Sequence, residues 1–283
     1  MSLNNVHIVE FIKTFLSGSA NSLKNPQEEK AWGEPLVGFS RGDDPHYGHF
    51  KADIGSFYWT PAEIISLAFP GAICQPGELS VISWVLPQTA ATKQDQRKMR
   101  RYAAERWARA RNFGEEANFE LARRLVALLG QHGHEAVAPS LHPAWKWQTS
   151  PRYGFASNWS ERHAAFASGL GTFGLCDGLI TEKGKAMRCG SVVARIELAP
   201  TARRYGDRHA YCLHYARGTC RKCIARCPAG AIDENGHNKE LCREYLFSVS
   251  AVNSLRRYGF SSYGCGLCQT AVPYESRIPV GCL

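Results

Sequence analysis

The sequence predicts a mixed α/β or α+β layered region over residues 1–205, followed by a small cysteine-rich region over 206–283. Two observations carry this expectation. Stretches with strand patterning and helix patterning alternate up to about residue 200. Beyond that the texture changes: seven of the eleven cysteines lie between residues 212 and 268, among small residues that leave little room for long elements.

Taken in order, residues 4–16 (NNVHIVEFIKTFL) carry apolar side chains at helical spacing behind an Asn cap. Residues 33–60, rich in Gly, Asp, Pro, His and aromatics, read as irregular loop. TPAEIISLAF starts a short helix with Thr60 as cap and Pro61 in the first position. LSVISWVLP (79–87) is a buried strand closed by Pro87. Residues 93–113 and 115–130 read as helices, the second with a broad apolar face of Phe119, Leu121, Leu125, Val126, Leu128 and Leu129. HEAVAPS is a short strand. ERHAAFASGL (161–170) is a short helix running into the Gly-rich GTFGLCDGLIT, and AMRCGSVVARIEL (186–198) is a loop and strand, or a hairpin.

A hydrophobic content of 44% is enough for an ordinary soluble core. The N-terminal MSLNNVHIVEFIKTFLSG has neither a basic n-region nor a continuous apolar run. No window approaches the roughly 18 apolar residues of a membrane span, so a cytoplasmic protein without membrane contact is expected. The net charge of +9 suits a nucleic-acid patch. It equally compensates thiolate-ligated clusters, whose negative charge the count omits. The basic run RKMRRYAAERWARAR reads as a solvated helix face with Met99, Tyr102 and Trp107 inward. Arg97, Arg100, Arg101 and Arg109 are also placed to track phosphates of tRNA or of a cofactor tail.

Metal ligation explains the cysteines better than a disulfide framework, which belongs to short exported chains. GTCRKCIARCPAGAI (218–232) sets Cys220, Cys223 and Cys227-Pro228 at C-x2-C-x3-C-P, the end of an iron–sulfur run written C-x2-C-x2-C-x3-C-P. Arg217 stands where the first cysteine belongs. Cysteines at this spacing present several thiolates to one cubic cluster. The proline turns the chain away, and PAGAI lets backbone N–H groups approach the sulfurs. A second group follows: Cys242 in KELCREYL, then Cys265 and Cys268 in YGCGLCQTAVP. In two-cluster proteins the fourth cysteine of one run ligates the other cluster, which assigns Cys227 to Cys242, Cys265 and Cys268.

The first cluster takes Cys220 and Cys223, with Cys212 filling the role left empty at 217. A further cysteine is expected near 272, where the sequence has Val272 and Tyr274. Cys282 is the nearby candidate. The alternatives are a three-iron cluster, a non-cysteine ligand, or no first cluster. A zinc-stabilised small domain competes, but zinc sites usually come as two C-x2-C pairs of similar spacing.

With these motifs the chain resembles the epoxyqueuosine reductase and reductive dehalogenase group of iron–sulfur proteins over most of its length. SVISWVLP and RRYAAERWAR are similar to that group's early strand and helix start. SERHAAFASGLGTFGLCDGLIT with KAMRCGSVVARIEL is similar to its Glu-Arg…Gly-Leu-Gly segment and following strand. CIARCPAGAI, LCREYL and YGCGLCQ follow in the group's order.

The resemblance implies a nitroreductase-like domain over 1–205 that holds cobalamin near Gly169, Gly171 and Gly174, then a ferredoxin-like domain over 206–283 with two [4Fe–4S] clusters. Tyr102 is a further cofactor-contact candidate. The clusters would relay single electrons from a ferredoxin- or flavodoxin-type donor to cobalt, for reduction of a small-molecule substrate. Flavin is the rival occupant, because nitroreductase-like folds also hold flavin. The sequence departs from the group's pattern in one respect that bears on chemistry. The aspartate that epoxyqueuosine reductases carry six residues before the position of Glu161 is Phe155 here, and the proline that normally follows is Asn158. A tRNA-modifying reaction would lack its acid.

Tyr153 is a candidate proton donor, as reductive dehalogenases use a tyrosine, although a loop aromatic more often packs. Asp177 is a second candidate, in a setting where Asp commonly serves as a turn residue. Cys176 and Cys189 read as small buried hydrophobes, and His163 as a core or surface histidine. The rival function from another class is an electron-transfer or cobalamin-handling protein with no substrate reaction of its own.

Overall fold

The computed structural model of the chain describes residues 3–71 and 73–282. Its centre is a four-stranded sheet built from β1 (Leu36–Arg41), β2 (Leu79–Pro87), β3 (Ala136–Val137) and β8 (Met187–Arg195). The order is β1-β2-β8-β3, with every neighbouring pair antiparallel. All nine residues of β2 are buried, because helices cover both faces of the sheet.

The two-residue period of the strands sorts the core. Ile82, Trp84 and Leu86 of β2 and Val192 and Ala194 of β8 point to one face. There they meet Ile8, Ile12 and Leu16 of α1 (Asn5–Ser17) and Leu121, Leu125 and Leu129 of α6 (Glu115–Gln131). Val81, Val85, Cys189 and Val193 point to the other. They pack on Tyr47 and Phe50 of α2 (Pro45–Ile54), Ile64 and Ile65 of α3 (Pro61–Ala68), and Ala164 and Phe166 of α7 (Glu161–Ala167). This is the layered α/β arrangement the alternation predicts. Thr60 caps α3 with a complete capping box closed by Glu63.

Register across the sheet centre is fixed by one bulky residue. Trp84 lies opposite Gly190, and a Cβ on Gly190 would stand 2.5 Å from the indole. The indole N–H donates to Asn118 Oδ1 on α6 at 2.7 Å, and the Asn118 amide donates to the Cys189 carbonyl at 3.1 Å.

Two segments differ from expectation. Residues 33–60 are not irregular: they contain β1 and α2. The Gly-, Asp- and Pro-rich composition conceals two well-formed elements. Gly38 is needed in β1 because a Cβ there would lie 2.3 Å from the Ser168 carbonyl. In α2, Pro45 takes the first turn while Asp44 caps the His46 N–H at 3.0 Å. The helix expected over 93–113 is broken into α4 (Ala90–Lys98) and α5 (Glu105–Arg109). The carbonyls of Gln96 and Met99 are taken by the Arg226 guanidinium, and the Gln96 side chain accepts the Ala104 N–H at 2.7 Å. Long-range partners thus satisfy groups that would otherwise continue the helix. From α5 the chain passes through a wide π-type turn, Ala110–Gly114, into α6.

Among the described residues after Arg195, no strand joins the sheet. Short helices α8 (Leu213–Arg217), α9 (Lys222–Arg226), α10 (Lys239–Glu244) and α11 (Ala251–Tyr258) carry or flank the cysteines. This part is stitched to the layered part by backbone bonds: Lys185 N–H to the Tyr274 carbonyl at 2.8 Å and Ala186 N–H to the Glu275 carbonyl at 3.2 Å. Gly266, at φ +66°, brings the Cys265–Cys268 turn so close to Trp107 that a Cβ there would lie 2.0 Å from the indole. Among the described residues no helix is long and apolar enough to cross a membrane.

Asn118→Ala should strand the buried Trp84 N–H without an acceptor and lower stability by about 2 kcal/mol. Urea unfolding followed by tryptophan fluorescence should show the midpoint fall with an unchanged slope.

Candidate metal centre

The cysteines pack around a second, smaller core. Cys176, Cys212, Cys220 and Cys223 are buried there with Leu175, Ile180, Tyr211, Ile232, Val272 and Tyr274, and Cys227, Cys268 and Cys282 pack against it. The tight loops predicted for the motif are present. Cys212 precedes α8, Cys223 lies in α9, and Cys227 ends α9 just before Pro228. The Ala231 N–H donates to Cys227 Sγ at 3.3 Å, the kind of amide–sulfur contact the PAGAI segment suggests.

Two thiol groups can be distinguished. Cys265 faces Cys242 and Cys227, whereas Cys268 lies within hydrogen-bonding reach of Cys176 and also faces Cys265, so Cys268 stands between the two groups. Cys220 lies 3.4 Å from the Tyr274 hydroxyl, which also faces Cys223 and Cys212. Cys282 faces Cys212 and Arg217. Among the described residues no three His, Cys, Asp or Glu side chains close on a single metal-ion position. Seven of the thiols instead share one packed core.

Lys185 is the strongest sign of what the thiols hold. The side chain is 1% exposed, and its Nζ has no oxygen or nitrogen partner among the described residues, only the Cys176 thiol within reach. It sits 4.8 Å from the centre of the Tyr274 ring and faces the thiols of Cys176, Cys268 and Cys223. Burial alone would strip its proton, but these thiols reverse that and push the lysine upward. Gly174 and Gly178 make room for it: a Cβ at either would come within 3.1 Å of Nζ or 2.5 Å of Cε. An isolated ammonium in such a place is strongly unfavourable unless an anion is paired with it. An anionic cluster held by these thiolates supplies that pairing, so the residues present fit an iron–sulfur centre.

A corrinoid fits less well. The glycines expected to face it are consumed by packing within the protein. A Cβ on Gly169 would meet the Ala202 carbonyl at 3.2 Å, and one on Gly171 the Ile180 carbonyl at 2.2 Å. Gly174 faces Lys185. The hairpin of β4 (Trp147–Ser150) and β5 (Gly154–Ser157) lies on α10. Phe155 packs edge-on to Trp147, the Arg243 guanidinium is 4.8 Å from the Phe155 ring centre, and Phe247 approaches Trp147. Two shallow surface concavities, of about 500 and 370 Å³, are lined by neither these glycines nor Tyr102 or Tyr153.

Tyr153 lies in a charged cluster that ties the hairpin to α2 and to α10. Its hydroxyl donates to Asp53 Oδ2 at 2.6 Å and accepts from Arg208 at 3.4 Å, while Lys239 stands 4.8 Å from its ring centre. Burial and the Asp53 hydrogen bond push the phenol upward and hold its proton. Asp177 occupies a turn at φ +56°, and its carboxylate pairs with His237 at 3.3 Å and Lys239 at 3.8 Å. Those partners outweigh burial and hold it below the usual carboxylate range. Tyr102 is half-buried under Arg101 and near Tyr245.

Sequence reasoning missed Lys185, Arg226 and Asp53, which lie in unremarkable contexts; Cys176 and Cys189 are buried, as read.

No protein-family model matches the chain, and no curated protein does. Solved structures do match. An epoxyqueuosine reductase from Bacillus subtilis aligns over 98% of this chain and 67% of its own, with a TM-score of 0.50 at 17% identity. A catabolic reductive dehalogenase in complex with 3-bromo-4-hydroxybenzoic acid aligns over 98% of this chain and 38% of its own, with a TM-score of 0.54 at 14% identity. A reductive dehalogenase described for B12-dependent dehalogenation aligns over 87% of this chain and 31% of its own, with a TM-score of 0.51 at 14% identity. At these identities the likeness establishes the fold. This chain spans about two thirds of the first protein and well under half of the other two.

Glu161, in the Glu-Arg…Gly-Leu-Gly segment, accepts hydrogen bonds from Ser140 and Ser191. Burial raises its carboxyl from 4.5 to about 7, against the pull of the two serines. The folded chain therefore keeps a proton that the unfolded chain releases above pH 4.5. Stability should fall as pH rises from there to about 7, by on the order of 3 kcal/mol. Glu161→Gln should flatten that window and gain relative to wild type at pH 8, as read from urea midpoints at pH 5 and pH 8.

Proposed function

We propose that this chain is an iron–sulfur oxidoreductase, a divergent member of the epoxyqueuosine reductase and reductive dehalogenase group. In this reading residues 206–283 hold two [4Fe–4S] clusters. They accept single electrons from a ferredoxin- or flavodoxin-type donor in the cytoplasm and pass them to an acceptor lodged against residues 1–205. The observation that carries the reading is the Lys185 ammonium, buried among thiols.

The acceptor suggested by the B12-dependent relative is cobalamin, with flavin as the rival, and either supplies the redox chemistry for a small-molecule substrate. This chain's own contribution is polar. Asp53 holds the Tyr153 proton, and Arg208 and Lys239 place positive charge around it, so an anionic or electron-rich group beside Tyr153 would be stabilised there. The packed glycines favour a second reading, an electron carrier whose acceptor resides on a partner. A tRNA substrate is supported less. Phe155 replaces the acid, and much of the basic run is paired internally: Arg97 with Glu275, Arg106 with Glu29 and Asp95, Arg109 with Glu105.

Anaerobically purified and reconstituted protein should carry roughly eight irons and as much sulfide per chain, with two interacting reduced clusters by EPR. A chain that takes up no iron would overturn the reading. Titration with hydroxocobalamin, and separately with flavin mononucleotide, followed by absorbance in wild type and Phe155→Ala, separates the two versions. Uptake of hydroxocobalamin, tighter in the variant, supports cobalamin as the resident acceptor, whereas uptake of neither hydroxocobalamin nor flavin mononucleotide by either protein supports the carrier.

A further inference from the structure

We propose that Cys176 is a thiolate ligand of the first iron–sulfur cluster, completing with Cys212, Cys220 and Cys223 the site that the cysteine run leaves short. The inference rests on the iron–sulfur reading and assigns a ligand that no motif contains.

The run lacks two cysteines, at Arg217 and at Val272. Val272 is buried in the thiol-lined core and offers no donor. Cys212, fully buried in that core, replaces one. The second replacement must come from another segment, and Cys176 and Cys282 are the candidates. Cys176 is 5% exposed and belongs to the same buried cluster as Cys212, Cys220 and Cys223, and its thiol is within hydrogen-bonding reach of Cys223 and Cys268. Cys282 is only half-buried. It faces Cys212 and Arg217, and Arg217 binds the Gly281 carbonyl at 2.8 Å. It therefore stands at the outer margin of the core.

The turn that carries Cys176 is built to aim it. β6 (Gly171–Phe173) and β7 (Leu179–Thr181) form a hairpin. Its loop is closed by Gly174 N–H to the Gly178 carbonyl and Asp177 N–H to the Gly174 carbonyl, both at 2.9 Å. Asp177 takes a left-handed conformation at φ +56°, and Gly178 leaves the space in which Cys176 Sγ and the Lys185 side chain lie together. The independent observation is Lys185 itself, a nearly inaccessible ammonium with no oxygen or nitrogen partner among the described residues, which lies within reach of Cys176 and faces Cys268 and Cys223. Its charge falls between the two thiol groups, where a cluster ligated by Cys176 and Cys223 would pair with it.

The test compares the full chain with Cys176→Ala, Cys176→Ser and Cys282→Ala, each reconstituted anaerobically. The readouts are iron and sulfide content, EPR before and after dithionite, and far-UV circular dichroism. Cys176→Ala should lose about half of the iron, or about one iron with the oxidised signal of a three-iron cluster, while Cys282→Ala keeps the wild-type content and spectrum. If the alanine variant does not fold, the size-matched Cys176→Ser carries the test through a changed EPR signal of the first cluster. Full iron and an unchanged spectrum in Cys176→Ser, or loss confined to Cys282→Ala, would overturn the assignment. A wild-type chain without any cluster would instead overturn the iron–sulfur reading beneath it.

Discussion

The arrangement of the thiols depends on the guanidinium of Arg226. This residue lies between Cys223 and Cys227 and is 8% exposed. It donates to the carbonyls of Met99 at 2.8 Å, Leu267 and Thr270 at 3.2 Å, and Gln96 at 3.3 Å, and to the Thr270 hydroxyl. One planar fork therefore joins the first cysteine run, the second, and the break between α4 and α5. A lysine, with a single rotatable point charge, could not reach three segments at once. Burial and Arg100 push the guanidinium downward, and the thiols of Cys265 and Cys268 pull it back up. Negative charge on those sulfurs thus strengthens the same hub that positions them.

The layered part was largely legible in the sequence because its signals are local and periodic. β2 reads directly from LSVISWVLP, α6 from its apolar face, and α3 from Thr60, Pro61 and Glu63. Where legibility failed, the cause was long-range. Nothing near residue 99 ends a helix; the ending is imposed by a guanidinium 127 residues away in sequence. β1 and α2 were hidden by glycines and aspartates whose reasons, such as Gly38 against Ser168, exist only once the chain is folded.

The thiol groups, Cys227, Cys242, Cys265 and Cys268 among them, were legible as spacing. The partners of those thiols were not legible. Lys185 sits in EKGKAM, a context in which a lysine is ordinarily a solvated surface residue. Its burial follows from Gly174 and Gly178, which read in sequence as turn formers and act in the fold as absent side chains. The same substitution of roles affects charge. A surplus of +9 suggests an acidic partner, yet Lys185 and Arg226 place part of it inside the protein. Further arginines face carboxylates of their own chain, where exposed pairs contribute little to stability and chiefly neutralise one another.

The backbone bonds from Lys185 to Tyr274 and from Ala186 to Glu275 also bear on when the centre can form. The sheet and its helices are complete by Arg195, so a growing chain can fold them early, as N-terminal units generally do during synthesis. The thiols at 265 and 268, the acceptors for Arg226 at 267 and 270, and the segment that covers Lys185 all emerge later. A nascent chain stalled before residue 265 would present a finished scaffold beside an open, partly lined thiol pocket. On the iron–sulfur reading, delivery would have to wait until residue 275 has cleared the ribosome. Loading would then require both cysteine runs and the segment that covers Lys185, rather than either run alone.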